Sequence, residues 1–206
     1  MLIRKAYQFR LKPSGLQAEL MTQFAGQARF LWNKALALNL DRLQQKQKIL
    51  YYPELNFWTT LWKKSDEYAF LRQCPAHVLQ QKLRDLDRAF KDAFDKKQPN
   101  KRLPRFKKKG LGDSFRFPAP EQVRLAHRHI TFPKLGKMRF FNSRAVEGKI
   151  RNYTISRRGA HWYVSIQVEC LVDTTLHAHR NKQAIGLDMG IKHFVTTSDG
   201  EQIAPI

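Results

Sequence analysis

Fourteen residues, Lys96 to Lys109, carry eight basic side chains and no acidic one: Lys96, Lys97, Lys101, Arg102, Arg105, Lys107, Lys108 and Lys109. Pro99 and Pro104 lie within the run, and Gly110 and Gly112 follow it, so regular helix is excluded. Leu103 and Phe106 stand between the charges. Cations interleaved with an aromatic ring suit phosphate contacts plus base stacking, whereas a solvated linker has little use for either apolar side chain. Arg29 and Lys34 lie off the apolar face of an upstream helix and join the same candidate nucleic-acid-binding set. Other chemistry-bearing types are sparse. Cys74 and Cys170 form no CxxC pair, so this chain has no four-cysteine zinc site and reads as holding two reduced thiols. His127 and His129, and likewise His177 and His179, could share a strand face, but neither pair has further ligands at metal-site spacing. They read as surface or nucleic-acid-facing histidines, and His193 as structural. Gly186-Leu187-Asp188-Met189-Gly190 places a carboxylate on an apolar strand beside a turn.

Whatever holds these residues must be a folded body. Of 206 residues, 38 are Lys or Arg and 17 are Asp or Glu, a formal charge of +21, yet 42% are hydrophobic and 12% aromatic. Such hydrophobicity excludes a disordered basic tail. No apolar run approaches the roughly 20 residues of a membrane span, and Met1-Leu2-Ile3-Arg4-Lys5 lacks a signal-peptide core. The charge calls for a polyanionic partner. Nucleic acid is favoured over a membrane surface, which would want the cations on an amphipathic helix.

Alternation in Lys5–Leu11 predicts a strand ended by Pro13. Ser14 and Gln17 then suit a capping box, opening a helix to about Lys46 with Leu16, Leu20, Phe24, Ala28, Leu31, Ala35 and Leu38 on one face. A short helix carries Leu55, Trp58, Leu61 and Trp62. Pro75 opens a third, with Leu79, Leu83, Leu86, Phe90 and Phe94 buried, down to about Lys97. Core packing is the reading for the aromatic residues of this bundle. Short strands follow residue 113, including a hairpin of Ile150–Ile155 and Trp162–Cys170 about a turn at Gly159. The first strand needs partners, and only this later region offers them. The expected fold is therefore α+β: a small barrel with a helical bundle inserted into it.

Several stretches together resemble the TnpB (OrfB-type) proteins of bacterial insertion sequences, relatives of type V CRISPR nucleases. They are Tyr7-Gln8-Phe9-Arg10-Leu11-Lys12-Pro13, Ala28–Leu36, Leu86-Asp87-Arg88-Ala89-Phe90, Pro104–Lys109, Phe132-Pro133-Lys134-Leu135-Gly136 and Gly186–Lys192. The resemblance implies a wedge-type (OB-like) β-barrel at 1–13 and 113–178. It implies an inserted helical recognition lobe at 14–112, with the basic loop 96–109, and the start of an RNase H-like (RuvC) nuclease domain at 182–206. Guide RNA and DNA would be the partners, with no membrane, in the bacterial cytoplasm at the nucleoid. Asp188 would be the first catalytic carboxylate and a Mg²⁺ ligand. Two-metal phosphodiester hydrolysis needs several carboxylates around ions about 3.5–4 Å apart, and the later acidic residues and cysteine zinc module of the family are missing from this chain. The expectation is thus a nucleic-acid-binding N-terminal portion, with Mg²⁺-dependent DNA cleavage confined to the complete protein. A standalone, nuclease-dead regulator and a decayed transposase remnant are the alternatives.

Overall fold

The computed structural model describes residues 1–171, 185–190 and 193–204. Leu2–Leu171 form one compact unit, and the described residues beyond 171 belong to another.

In the larger unit, strand β1 (Leu2–Lys12) stops before Pro13, and Ser14 caps helix α1 (Gly15–Gln44). The Ser14 hydroxyl accepts from the Gln17 backbone N–H at 3.3 Å, and the Gln17 side-chain Oε1 accepts from the Ser14 N–H at 3.0 Å. The same Gln17 amide donates to the carbonyls of Leu135 and Lys137, so the cap also ties the helix to a distant β-turn. Helix α1 buries Met21, Phe24, Ala28, Leu31, Trp32, Ala35 and Leu36 along one face. Asn39, fully buried, matches both its amide groups to the backbone of Leu50 and turns the chain toward α2 (Tyr52–Lys64). After a 3-10 turn at Ala69–Arg72, Pro75 precedes α3 (Ala76–Phe94), which packs Leu79, Leu83, Leu86 and Phe90 inward. Three expectations about this bundle are corrected. Leu16, at the start of α1, is exposed rather than part of the buried face. Phe94 is exposed at the last residue of α3, and Phe57, Trp58 and Leu61 of α2 face solvent rather than core. Helix α2 is short and touches the bundle mainly through Leu55 and Thr59, which leaves too narrow a buried stripe to cover all its aromatics.

The strands are β2 (Ser114–Phe117), β3 (Arg124–Leu125), β4 (His129–Phe132), β5 (Gly136–Phe140), β6 (Lys149–Arg158) and β7 (His161–Leu171). With β1 they make one antiparallel sheet in the order β2-β6-β7-β1-β5-β4-β3. Strand β1 pairs along β7 from Leu2 to Arg10 and then hands over to β5 at Leu11 and Lys12. The N-terminal strand thus completes a sheet whose other members lie beyond residue 113, and the helices are inserted between them. The sheet curls enough for Phe132 of β4 to stack on Phe117 of β2 at 5.1 Å and to meet Tyr153 of β6. It does not close: β2 and β3 remain edges, which corrects the expected barrel. Pro118 and Pro120, directly after β2, lack the N–H groups that a closing ladder would need.

A β-bulge sets Arg151 out of register between Ile150 and Asn152. Its guanidinium meets the buried carboxylate of Glu169 on β7, which Arg4 of β1 also reaches at 3.0 Å. Gly148 precedes the bulge at φ +106°, and a Cβ there would lie 2.5 Å from the Cys170 sulfur, so only glycine fits. The Arg151 hydrogen bond, aided by Arg4, holds the Glu169 carboxyl below its ordinary range. A carboxyl lowered by folding adds stability that is present above its unfolded pKa and lost as pH falls through the folded value. Glu169→Gln should therefore lower the neutral-pH melting temperature and flatten the acid limb of the stability curve. Melting curves that superimpose at every pH would dismiss this role.

The second unit contains β8 (Leu187–Asp188), β9 (Val195–Thr197) and β10 (Gln202–Ile203), an antiparallel sheet in the order β10-β9-β8. A turn at Ser198–Gly200 follows β9.

Candidate nucleic-acid interface

The basic segment begins as α3 ends. Asp95 accepts from the Lys97 N–H and from the Gln98 side chain, making a tight turn that stops the helix before Lys96. From there the loop is not a free linker. The Trp32 indole N–H donates to the Arg105 carbonyl at 3.0 Å. One residue along α1, the Asn33 side chain donates to the Lys107 carbonyl at 3.0 Å and accepts from the Lys107 N–H at 2.8 Å. The Lys107 ammonium sits 4.1 Å above the Trp32 ring. Two consecutive helical residues thus clamp residues 105–107 along α1.

The clamp uses the loop's backbone and leaves its side chains outward. Lys96, Lys97, Lys101, Arg102, Arg105, Lys108 and Lys109 are exposed, and Phe106 is 53% exposed between two of them. Holding the backbone in advance removes an ordering cost of roughly 1–2 kcal/mol per residue that a loose loop would meet on binding a strand. Asn33→Ala should accordingly speed tryptic cleavage within 105–109 while lowering global stability by only about 1 kcal/mol. Cleavage at the wild-type rate would show that other contacts hold the loop.

The two expected cations of α1 are engaged inside the protein. Arg29 pairs with Asp113 at 2.5 Å, tying α1 to the approach of β2. Lys34 donates to the Tyr68 hydroxyl at 2.9 Å and packs over the rings of Trp62 and Tyr68. Neither extends the outward row of the loop.

Two groups emerge that the sequence reading did not single out. Lys82 of α3 is 7% exposed, and burial, then the nearby charge of Lys107, pushes its pKa down to about 8. Its position was the available signal, since it falls between Leu79 and Leu86 on the apolar face. Farther along the sheet, Arg10 and Lys12 flank the half-exposed ring of Phe141 at 5.6 and 4.7 Å. Lys12 and Phe141 line a cleft of about 330 Å³ with His127, Arg128, Arg139 and Asn142. His129 nearby is pushed down by burial and by the charges of Lys137, Arg139 and Arg128. This second basic and aromatic surface depends on β1 pairing with β5, so its parts are over 100 residues apart in sequence.

Cys74 is buried and its thiol is pushed up to about 12, chiefly by burial, which makes it a packing residue. Asp188 lies exposed on β8, paired in register with Thr196 of β9. Among the described residues, no three His, Cys, Asp or Glu side chains converge in a group that could hold a metal ion. His177 and His179 lie outside the described residues, and His193 falls in a bend before β9.

The OrfB_IS605 helix-turn-helix domain family matches residues 1–48. Within that span the chain folds as β1 and the single uninterrupted helix α1, with no turn between two helices. A putative RNA-guided DNA endonuclease, InsQ, of Escherichia coli K12 is 39% identical over 98% of the chain. A putative RNA-guided DNA endonuclease of Streptomyces pristinaespiralis is 30% identical over 98% of the chain. The chain covers 49% and 50% of these two relatives, about half the length of each.

Proposed function

We propose that this chain is the nucleic-acid-binding part of an OrfB (TnpB-type) RNA-guided DNA endonuclease, a reading supported by the family match at residues 1–48 and by the similarity to the two putative endonucleases over 98% of the chain. In this reading it is the N-terminal portion. The curled sheet serves as the wedge-type platform, the helices as the recognition lobe, and both hold a guide RNA and its target DNA. The clamped basic loop is the observation that carries the reading. Lys96, Lys97, Lys101, Arg102, Arg105, Lys107, Lys108 and Lys109 supply phosphate contacts, and Phe106 supplies a stacking ring. Phe141, with Arg10 and Lys12, offers a second platform of the same kind.

In the same reading β8 and β9 are the first hairpin of a RuvC-like nuclease domain, with Asp188 as its first carboxylate. Mg²⁺ is the ion that family chemistry implies. A two-ion site needs several converging carboxylates, and Asp188 alone does not fit one. No cleavage step is therefore assigned to this chain, and cutting belongs to the complete protein. The 206-residue chain should bind single-stranded RNA and leave plasmid DNA intact in Mg²⁺. Binding of neither RNA nor DNA would overturn the reading. Nicking abolished by Asp188→Ala would overturn the claim that this portion is catalytically incomplete.

A further inference from the structure

Where β1 leaves β7 for β5, three neighbouring strands bring basic side chains into one row. Lys12 stands in register opposite Arg139, and Arg139 opposite His129. Directly opposite residues of antiparallel strands project from the same face, where like charges repel. Arg128 adds a further cation, and no carboxylate lines the cleft of about 330 Å³ that it shares with Lys12, Arg139, Phe141 and Asn142. Among the described residues, Lys12, Arg128 and Arg139 have no ion-pair partner. The walls are already set. The Phe141 N–H donates to the Arg10 carbonyl at 2.9 Å, and the Phe140 N–H to the Arg128 carbonyl at 3.3 Å. The Asn142 side chain donates to the His127 carbonyl at 2.9 Å. The Phe141 ring between these walls is half-exposed. Of the two cations beside it, Arg10 is hydrogen-bonded to His161 at 3.0 Å. Lys12, at 4.7 Å, is nearer, and among the described residues its ammonium has no hydrogen-bond partner.

We propose that this cleft is a subsite for one unpaired nucleotide of a bound strand, with the base stacked on Phe141 and the adjoining phosphate seated on the Lys12–Arg139 row. The inference rests on the nucleic-acid reading above and names the ligand of the Phe141 ring. A stacked base outweighs an exposed ammonium on that ring, because it buries apolar surface that a hydrated cation leaves wet. Lys12, displaced from the ring, is then free to meet the phosphate. An anion across the row also relieves the repulsion between Lys12 and Arg139. The volume lies at the lower end of ligand pockets, roughly 300–1,000 Å³, and suits one nucleotide rather than a stacked run. A paired base offers its edges to the grooves and keeps its faces in the stack, so a duplex cannot use the ring.

The test is a salt series of binding to a ten-nucleotide uridine strand and to a ten-base-pair RNA duplex. Wild type is compared with Phe141→Leu, Phe141→Trp and Arg139→Ala. Phe141→Leu should weaken strand binding about tenfold at an unchanged salt slope, because it removes stacking and no charge. Phe141→Trp should keep the wild-type affinity. Arg139→Ala should weaken binding and make the slope shallower by about 1. Duplex affinity should be the same in wild type and both Phe141 variants. Melting temperatures of the four proteins control for folding. Free uridine monophosphate separates the sources. If it raises the wild-type melting temperature while Phe141→Leu binds the strand as tightly as wild type, the cleft is a free-nucleotide site and the assignment to a strand is overturned. Equal losses for strand and duplex in Phe141→Leu would overturn the preference for an unpaired nucleotide. Equal strand affinity in all four proteins would overturn the cleft and leave the nucleic-acid reading standing. Absence of strand binding in wild type would instead sink that reading.

Discussion

Raising monovalent salt from about 50 to about 200 mM should weaken RNA binding by roughly 250- to 1,000-fold. The chain carries a formal charge of +21, and the clamped loop alone presents seven exposed cations besides Lys107. If about six phosphates are neutralised, at about 0.7–0.9 released counterions each, log affinity should fall against log salt with a slope of roughly −4 to −5. Filter-binding titrations read this directly. A slope near zero would mean that binding does not run through the basic surface. A steep slope with retained affinity for random sequence would fit phosphate contacts, since those position a strand without reading its bases.

Replacing Lys82 by Met should make the protein more stable at pH 7, by on the order of 2–3 kcal/mol. The folded pKa near 8 lies below the ordinary 10.5, so folding opposes the charged form of this amine. Between those two values the unfolded chain binds the proton that the folded amine has already released. Wild-type stability should therefore rise as pH climbs from about 8 toward about 10.5, and the advantage of Lys82→Met should shrink over the same window. Burial is the main cause, with Lys107 adding to it, and Asp85 offsets only part. Denaturant unfolding at pH 7 and pH 10 measures both effects. A Met variant less stable than wild type at pH 7 would show that Lys82 is paired better than the geometry indicates.

How far the sequence carried these conclusions differs from element to element. The Ser14–Gln17 box, the middle of the apolar face of α1 from Phe24 to Ala35 and the β6–β7 hairpin are local patterns, and each appears where its residues place it, whereas Leu16 at the start of that face is exposed. The pairing of β1 with later strands followed from the need of a lone strand for partners. Barrel closure was not legible, because it turns on whether two edges far apart in sequence meet, which no local residue pattern decides. The aromatics of α2 were misjudged for a related reason. Composition gives a helix its apolar residues, but only tertiary contacts decide how many of them are covered.

The candidate interface divides the same way. Charge density in 96–109 was plain in the sequence. The clamp was hidden, since Trp32 and Asn33 reach groups more than 70 residues away. So was the commitment of Arg29 to Asp113, 84 residues distant, which turns a candidate phosphate ligand into a strut. Lys82 was visible in retrospect as a lysine on an apolar stripe, and helical periodicity marks such residues wherever they occur. Asp188 rests on family resemblance, and its strand offers the position without the partners.

The central claim, that the clamped loop grips phosphates, is tested most directly by one paired salt titration of RNA binding. Wild type is compared with a variant carrying Arg105→Ala, Lys108→Ala and Lys109→Ala, three exposed changes that should each alter stability by about 0.5 kcal/mol or less. The variant should melt near the wild-type temperature, bind more weakly, and show a slope shallower by about 2 to 3. Equal affinity and equal slope in a folded variant would contradict the account.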